Sequence, residues 1–291
     1  MQVPHVGPNL GQLKPHMLPP PIIHPPRGAL PVLLSVPHSG RDYPGWLVEL
    51  SKHGTASLKS LEDPLVDRLV WRALGTGVGA VIAQAPRAAV DCNRSEDEID
   101  PAIIHVEYRM RTSPRARGGL GIVPSRTVAH GNLWNRAISS SELEHRLDDS
   151  YRPYHRAIKD ELSLVADRFG CALLLDCHSM PPSKGSAQIV FGDRFGRSAA
   201  PWLVSEAMAV ALDAGFSAAT NDPFAGGHIV DRHSSPQTGI HAIQLEIDRR
   251  CYLDGNGQPG NRFDDVAALI ETLAKRLGAK LLDRRMAEAA E

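Results

Sequence analysis

The chain has no apolar run approaching the ~18 residues that a membrane-spanning helix needs, and no basic-then-apolar leader stands before its first strand-like segment. Neither membrane spanning nor secretion is expected. It has only four cysteines, Cys92, Cys171, Cys177 and Cys251, with no CxxC pair and no dense spacing. They read as reduced thiols of a cytoplasmic protein rather than a disulfide framework. Charge of one sign is also missing. A formal net charge of −1 gives no global field to draw the chain to nucleic acid or to an anionic membrane. No internal repeat is present.

What remains is an ordinary globular composition, 42% hydrophobic and 22% charged over 291 residues, enough for a substantial core. Residues 1–30 hold eight prolines, including Pro19-Pro20-Pro21 and Pro25-Pro26. Such a segment cannot form a helix or a central strand and predicts an extended arm over the surface. Residues 31–291 then form a single α/β domain.

Two stretches share one design. Val32-Leu33-Leu34-Ser35-Val36 runs into Pro37-His38-Ser39-Gly40, and Ala172-Leu173-Leu174-Leu175 runs into Asp176-Cys177-His178-Ser179. A short apolar run with an abrupt polar stop is the pattern of a strand buried on both faces. Ligands of open α/β sheets bind beyond the carboxyl ends of such strands. Two histidines placed there look like part of a metal site that needs a third ligand. Asp63, before Pro64, reads first as the N-cap of a helix carrying Leu65, Leu69 and Leu74. It also follows the first histidine and could face the site, with Glu62 as the spare carboxylate.

Further along, Arg87-x-x-x-Asp91 reads as an internal ion pair, whereas Asn93-Arg94 at the end of that segment reads as a ligand contact. Arg109 to Arg117 puts four arginines in a loop with little aromatic interleaving, a lid or solvated loop rather than a nucleic-acid patch. Ser141-x-x-Glu144 opens as a capping box a long amphipathic helix, bent at Pro153 and stopped by Gly170. Ile240 to Arg249 is the last major strand and carries Glu246, a carboxylate costly to bury unless it works or is paired, with Arg249 or Arg250 as the competing partner. A helix with Val266, Leu269, Ile270, Leu273 and Leu277 closes the chain, fraying from Arg284. Strand and helix alternate as in a three-layer α/β domain.

Taken together, Pro37-His38-Ser39-Gly40, Asp63-x-x-x-Asp67-Arg68-Leu69, Arg87-x-x-x-Asp91-x-Asn93-Arg94, Gly119-Leu120-Gly121, Pro153-Tyr154-His155, Asp176-Cys177-His178-Ser179 and Gln244-Leu245-Glu246 resemble the N-formylglutamate amidohydrolase family over residues 32–255. The resemblance implies a zinc-carboxypeptidase-like, phosphorylase/hydrolase-like α/β/α fold around a mixed, mostly parallel sheet. It implies hydrolysis of a small N-acyl amino acid, N-formylglutamate giving formate and glutamate. Pro64-Leu65 and Gly226-Gly227-His228 depart from the family's usual residues.

The chemistry asked of such a site is an activated water, a polarised carbonyl and a proton for the leaving amine. One Zn2+ with three protein ligands meets the first two, and the expected ligands are His38, Asp63 and His178. Asp176 is expected to hold a ligand imidazole in its tautomer, and Glu246 to be the general base. Arg94, Asn93, Arg87, His228 and Arg232 are the expected substrate contacts. The alternatives are a deacylase of another N-acyl amino acid or of a small acidic amide, and a catalytically idle ligand- or nucleic-acid-binding protein with Arg109–Arg117 as its contact surface.

Overall fold

The computed structural model describes residues 17–104 and 113–290. In chain order its strands are β1 (Ile22–His24), β2 (Val32–Val36), β3 (Gly79–Ile82), β4 (Arg126–Thr127), β5 (Gly131–Asn132), β6 (Ala172–Met180), β7 (Ile189–Gly192), β8 (Ala218–Thr220) and β9 (Ile240–Asp248). β4 and β5 form a small separate hairpin, and the other seven form one sheet in the order β1-β3-β2-β6-β9-β7-β8. The central run β3-β2-β6-β9 is parallel throughout. β1 joins β3, and β7 joins β9, antiparallel. The sheet is therefore mixed and mostly parallel.

Both faces are covered, which is why its strands read as unbroken apolar runs. Side chains alternate across a strand. Leu173, Leu175 and Cys177 on β6 and Ile243, Leu245 and Ile247 on β9 enter one core with the helices Pro201–Asp213 and Phe263–Ala290. Leu33, Val81, Leu174 and Ala242 enter a second core with the helix Arg152–Phe169. On that second face the strands change character towards their carboxyl ends. After Leu174 come Asp176 and His178, and after Ala242 come Gln244 and Glu246, all of them buried.

β6 does not end at His178, as expected from the abrupt end of its apolar run, but continues to Met180. β9 pairs with it from Ala172↔Ile240 to Met180↔Asp248, so the backbone of the polar half is satisfied by its neighbour. The proline-rich segment is likewise more than a surface arm. Ile22–His24, the residues between Pro21 and Pro25, pair with β3 as an edge strand, where neighbouring prolines are tolerated. Residues 1–16 lie outside the described residues, as do 105–112 in the arginine loop. Of that loop, Pro114–Arg117 forms one helical turn capped by Ser113.

Three helix readings are corrected. Asp63 caps nothing with its side chain: Leu65 takes a left-handed φ of 60°, and two separate turns follow, Val66–Leu69 and Trp71–Leu74. The capping box is Ser139 with Glu142, not Ser141 with Glu144. The helix it opens, Ser140–Arg146, passes through a π-helical stretch, Leu147–Tyr151, into Arg152–Phe169. The wider turn lets Pro153 begin the second segment without needing an N–H. The closing helix runs to Ala290 rather than fraying at Arg284, because Leu281 is buried and Arg284 lies 4.7 Å over the Trp202 ring.

Gly40, directly after the turn that carries His38, marks the tightest backbone approach near these strand ends. A Cβ there would lie 2.2 Å from the Ala85 carbonyl oxygen and 2.4 Å from that of Gln84. Both are main-chain atoms next to β3, so relief requires moving the loop. Gly40→Ala is expected to destabilise by about 2 kcal/mol, a Tm loss of roughly 3 °C for a chain of this size. Thermal denaturation that matches the parent protein would show that the loop yields freely.

Candidate active site

Three separate elements deliver the central residues. His38 follows β2 by two residues, His178 lies within β6, and Asp63 lies on the loop before Val66–Leu69. The Asp63 N–H donates to the His38 carbonyl at 3.0 Å, pinning the two loops together. His38 Nδ1 and His178 Nδ1 each lie 3.1 Å from Asp63 Oδ2 and 3.2 Å from one another. All three residues are buried. Ligands about 2.0 Å from a zinc ion at tetrahedral angles lie roughly 3.3 Å apart, so this triangle has the shape of one face of a metal site. Among the described residues, His38, Asp63 and His178 form the only such cluster.

The outer partners fit the same purpose. His38 Nε2–H donates to Asp91 Oδ1 at 2.7 Å, and His178 Nε2–H donates to Asp176 Oδ2 at 2.9 Å. Each bond turns Nε2 outward and aims Nδ1 into the triangle, where it faces Asp63 Oδ2. The carboxylates are held in turn. Arg87 Nε and the Asn93 N–H donate to Asp91, and Ser35 Oγ donates to Asp176, itself accepting from Tyr154. Asp63 Oδ1 receives Ser179 Oγ and Arg249 Nη2, both at 3.4 Å. Burial works against ionisation of Asp63, but the hydrogen bonds from His178 and His38 outweigh it and hold its pKa well below the usual range. Burial likewise opposes a charged His178, yet Asp176 and Asp63 on either side raise its pKa well above normal.

Of the remaining expected residues, Glu246 stands directly across the ladder from His178. Its Oε1 accepts from Gln244 Nε2 at 2.8 Å. The competing ion pairs do not form: Arg249 is engaged with Ser179, Asp63 and the Glu62 carbonyl, and Arg250 with Asp248. Burial pushes the Glu246 carboxyl up to about 7, with His178 pulling it down and Asp63 adding to the rise. Glu62 is turned away, its carboxylate accepting from Tyr43 at 2.6 Å, so Asp63 is the carboxylate at the triangle.

His38, Asp63, His178 and Glu246 line a cavity of about 260 Å³ together with Arg87, Asn93, Arg94, Arg115, Phe224 and Arg249. It is smaller than the ~300–1,000 Å³ usual for a drug-sized ligand, which restricts it to a small molecule. Asn93 spends its amide internally: Oδ1 accepts the Ile229 N–H and Nδ2 donates to Gln244. His228 and Arg232 are not brought here. Arg232 lines a different cavity with His155 and His233, and His228 packs against His155 with ring centroids 5.5 Å apart. The turn after Gly226-Gly227 carries both away, leaving only the two glycines at the cavity wall. Sequence reasoning missed Arg115, Arg249, Ser179 and the role of Asp91 towards His38. Asp91 had a visible partner four residues away in Arg87, which hid the more distant one.

The family model for N-formylglutamate amidohydrolase matches residues 30–253. An N-formylglutamate deformylase of Pseudomonas putida is 28% identical, the match covering 88% of this chain and 94% of that one. One of Pseudomonas aeruginosa is 31% identical over the same shares. The crystal structure of N-formylglutamate amidohydrolase from Ralstonia eutropha JMP134 superposes with a TM-score of 0.83 at 28% identity, covering 91% of this chain and 99% of that one. With its motifs and cavity inside the matched span, the chain belongs to the N-formylglutamate amidohydrolase family and is an amidohydrolase.

Proposed function

We propose that the protein hydrolyses the formamide bond of N-formyl-L-glutamate to formate and L-glutamate, using one zinc ion held by His38, Asp63 and His178. The observation that carries this is the triangle of two Nδ1 atoms and one carboxylate oxygen at 3.1–3.2 Å, beside a buried carboxyl whose pKa is near neutrality. The names of the full-length relatives favour the formylated substrate. Two nitrogens and one oxygen form a catalytic type of ligand set, which leaves a position open. Zinc bound there supplies a lowered pKa for water and polarisation of the formyl carbonyl.

The chain's own residues do the rest. Glu246, ionised, takes the proton from the attacking water as its oxygen bonds to the formyl carbon. It then delivers that proton to the amide nitrogen as the C–N bond breaks, so the amine leaves neutral. Asp91 and Asp176 keep both imidazoles in the tautomer that presents Nδ1. Arg94, buried with only carbonyl partners, binds a substrate carboxylate, while Arg87 acts through Asp91 and Asn93 braces the wall. The reaction site is cytoplasmic on this reading, in keeping with four buried free thiols. No helix of the described residues is long and apolar enough to cross a membrane.

Metal content tests the first part. The purified protein is expected to carry about one zinc per chain, His178→Ala to lose it, and Asp176→Asn to weaken zinc affinity roughly 10–100-fold. Elemental analysis with a competitive chelator titration reads this out, and full zinc retention by both His178→Ala and His38→Ala would remove the site.

The second test concerns Glu246. Glu246→Gln keeps shape and a hydrogen bond but cannot accept the proton, so kcat should fall roughly 10²–10⁴-fold with zinc bound. The base works ionised, so the parent's kcat/KM rises with pH along an acidic limb that the variant lacks. Stability has the opposite sign. A carboxyl raised from 4.5 to about 7 on folding stabilises the protonated native state, a contribution present below the unfolded pKa and lost as pH climbs through the folded one. In metal-free protein, Glu246→Gln should therefore gain on the parent by up to about 3 kcal/mol between pH ~5 and ~8. Near-normal turnover in a zinc-loaded variant refutes the assignment.

A further inference from the structure

Four guanidinium groups line the catalytic cavity, and their partners divide them into two kinds. Arg87 is committed to Asp91 at 2.9 Å, and Arg249 to Ser179 at 3.1 Å and Asp63 at 3.4 Å. Their charges are answered by carboxylates of the metal centre. Among the described residues, Arg94 and Arg115 have no such partner. Arg94 donates Nε to the Leu120 carbonyl and Nη1 to the Asn93 carbonyl, both at 2.9 Å and both uncharged, and only 6% of it is exposed. The Arg115 guanidinium makes no hydrogen bond or ion pair with any described residue.

Among the described residues, neither guanidinium is in direct contact with a carboxylate, and Arg94 is buried as well. Burial, with Arg87 and Arg115 adding to it, outweighs Asp91 and pushes the Arg94 pKa down. The backbone nevertheless holds them together. Leu120, whose carbonyl grips Arg94, donates its own N–H to the Arg115 carbonyl at 2.8 Å. The turn Pro114–Arg117 is capped by Ser113 at its start and closed by Gly119, at φ +88°, donating to Ala116. Such an arrangement favours a bound anion in the cavity.

Depth distinguishes the two arginines. Arg94 follows Asn93, whose Nδ2 lies 3.2 Å from His178 Nε2, so it is anchored beside the reaction centre. Arg115 is exposed at the cavity's edge. We infer that Arg94 takes the carboxylate adjacent to the scissile amide, and that Arg115 reads a second carboxylate at the end of the substrate's side chain. Two unpaired guanidiniums then match two carboxylates, and Arg115 is the residue that selects N-acyl dicarboxylic amino acids over neutral ones. This inference rests on the amidohydrolase reading of the same cavity.

The zinc-loaded protein is assayed on N-formyl-L-glutamate and on its neutral isostere N-formyl-L-glutamine. Arg115→Gln should raise KM for the first roughly 10–100-fold, with kcat nearly unchanged and the second substrate unaffected. Arg94→Gln should raise KM for both. Arg115→Lys, a point charge without the fork, should recover part of the loss. A structural role for Arg115 predicts instead equal losses on both substrates with a lowered Tm. Calorimetric binding of glutarate and butyrate to the same proteins separates this inference from the reading beneath it. Loss of the glutarate preference in Arg115→Gln supports it even in a protein that leaves N-formylglutamate intact. A glutarate preference equal to the parent's, or matched KM increases on the two formyl substrates, overturns it.

Discussion

The carboxylate of Asp63, buried between two imidazole nitrogens, is the contact on which the rest of this site depends. Taking an ionised carboxylate out of water costs several kcal/mol unless it is paired and hydrogen-bonded. Here it is surrounded by His38, His178, Ser179 and Arg249. The imidazoles are fixed from behind by Asp91 and Asp176, which need partners of their own and find them in Arg87, the Asn93 N–H and Ser35. Each layer of charge is satisfied by the next. The chain ends in the neutral Tyr154 hydroxyl on one side and a half-buried arginine on the other. A dication at the triangle would be met by one carboxylate directly and by two more through imidazole rings.

The sheet makes that network possible. In a parallel sheet covered on both faces the strand interiors must be apolar, and polar side chains gather at the carboxyl ends, where helices no longer cover them. β6 and β9 follow this along one face, passing from Leu174 and Ala242 to His178 and Glu246. Their in-register pairing sets the Glu246 carboxyl opposite His178 without any loop having to aim it. The antiparallel neighbour β7 pairs with the other flank of β9, Val190 opposite Glu246.

How the cavity's charge is arranged bears on selectivity as well as chemistry. Arg87 and Arg249, beside His38, Asp63 and His178, have carboxylate partners, whereas the Arg94 side chain donates only to carbonyls among the described residues. Pairing inside a protein holds polar groups still, and unpaired charge at a cavity wall favours a ligand of opposite charge. The smallness of the cavity, about 260 Å³, adds a steric limit to the electrostatic one.

Much of this was legible in the amino-acid sequence because the signals were local. The runs before His38 and His178 marked buried parallel strands, Gly170 marked a helix end, and the spacing of motifs pointed to the family. Local signals misled wherever a distant partner decided the outcome. Asp63 beside Pro64 had the look of a helix cap, yet its carboxylate is claimed by histidines 25 and 115 residues away. Asp91 showed only Arg87, four residues off, and His38 was invisible. β6 outran its apolar stretch because β9 pairs with its polar half, and the proline-rich segment gained a strand because β3 offered an edge. His228 and Arg232 followed the right glycines in sequence but lie beyond a turn that leads away from the cavity. Residue type and spacing determined which side chains were available for chemistry. Only the packing of the sheet decided which of them met, because contacts across a hundred residues are set by strand register and loop direction, neither of which is written in any short stretch of the chain.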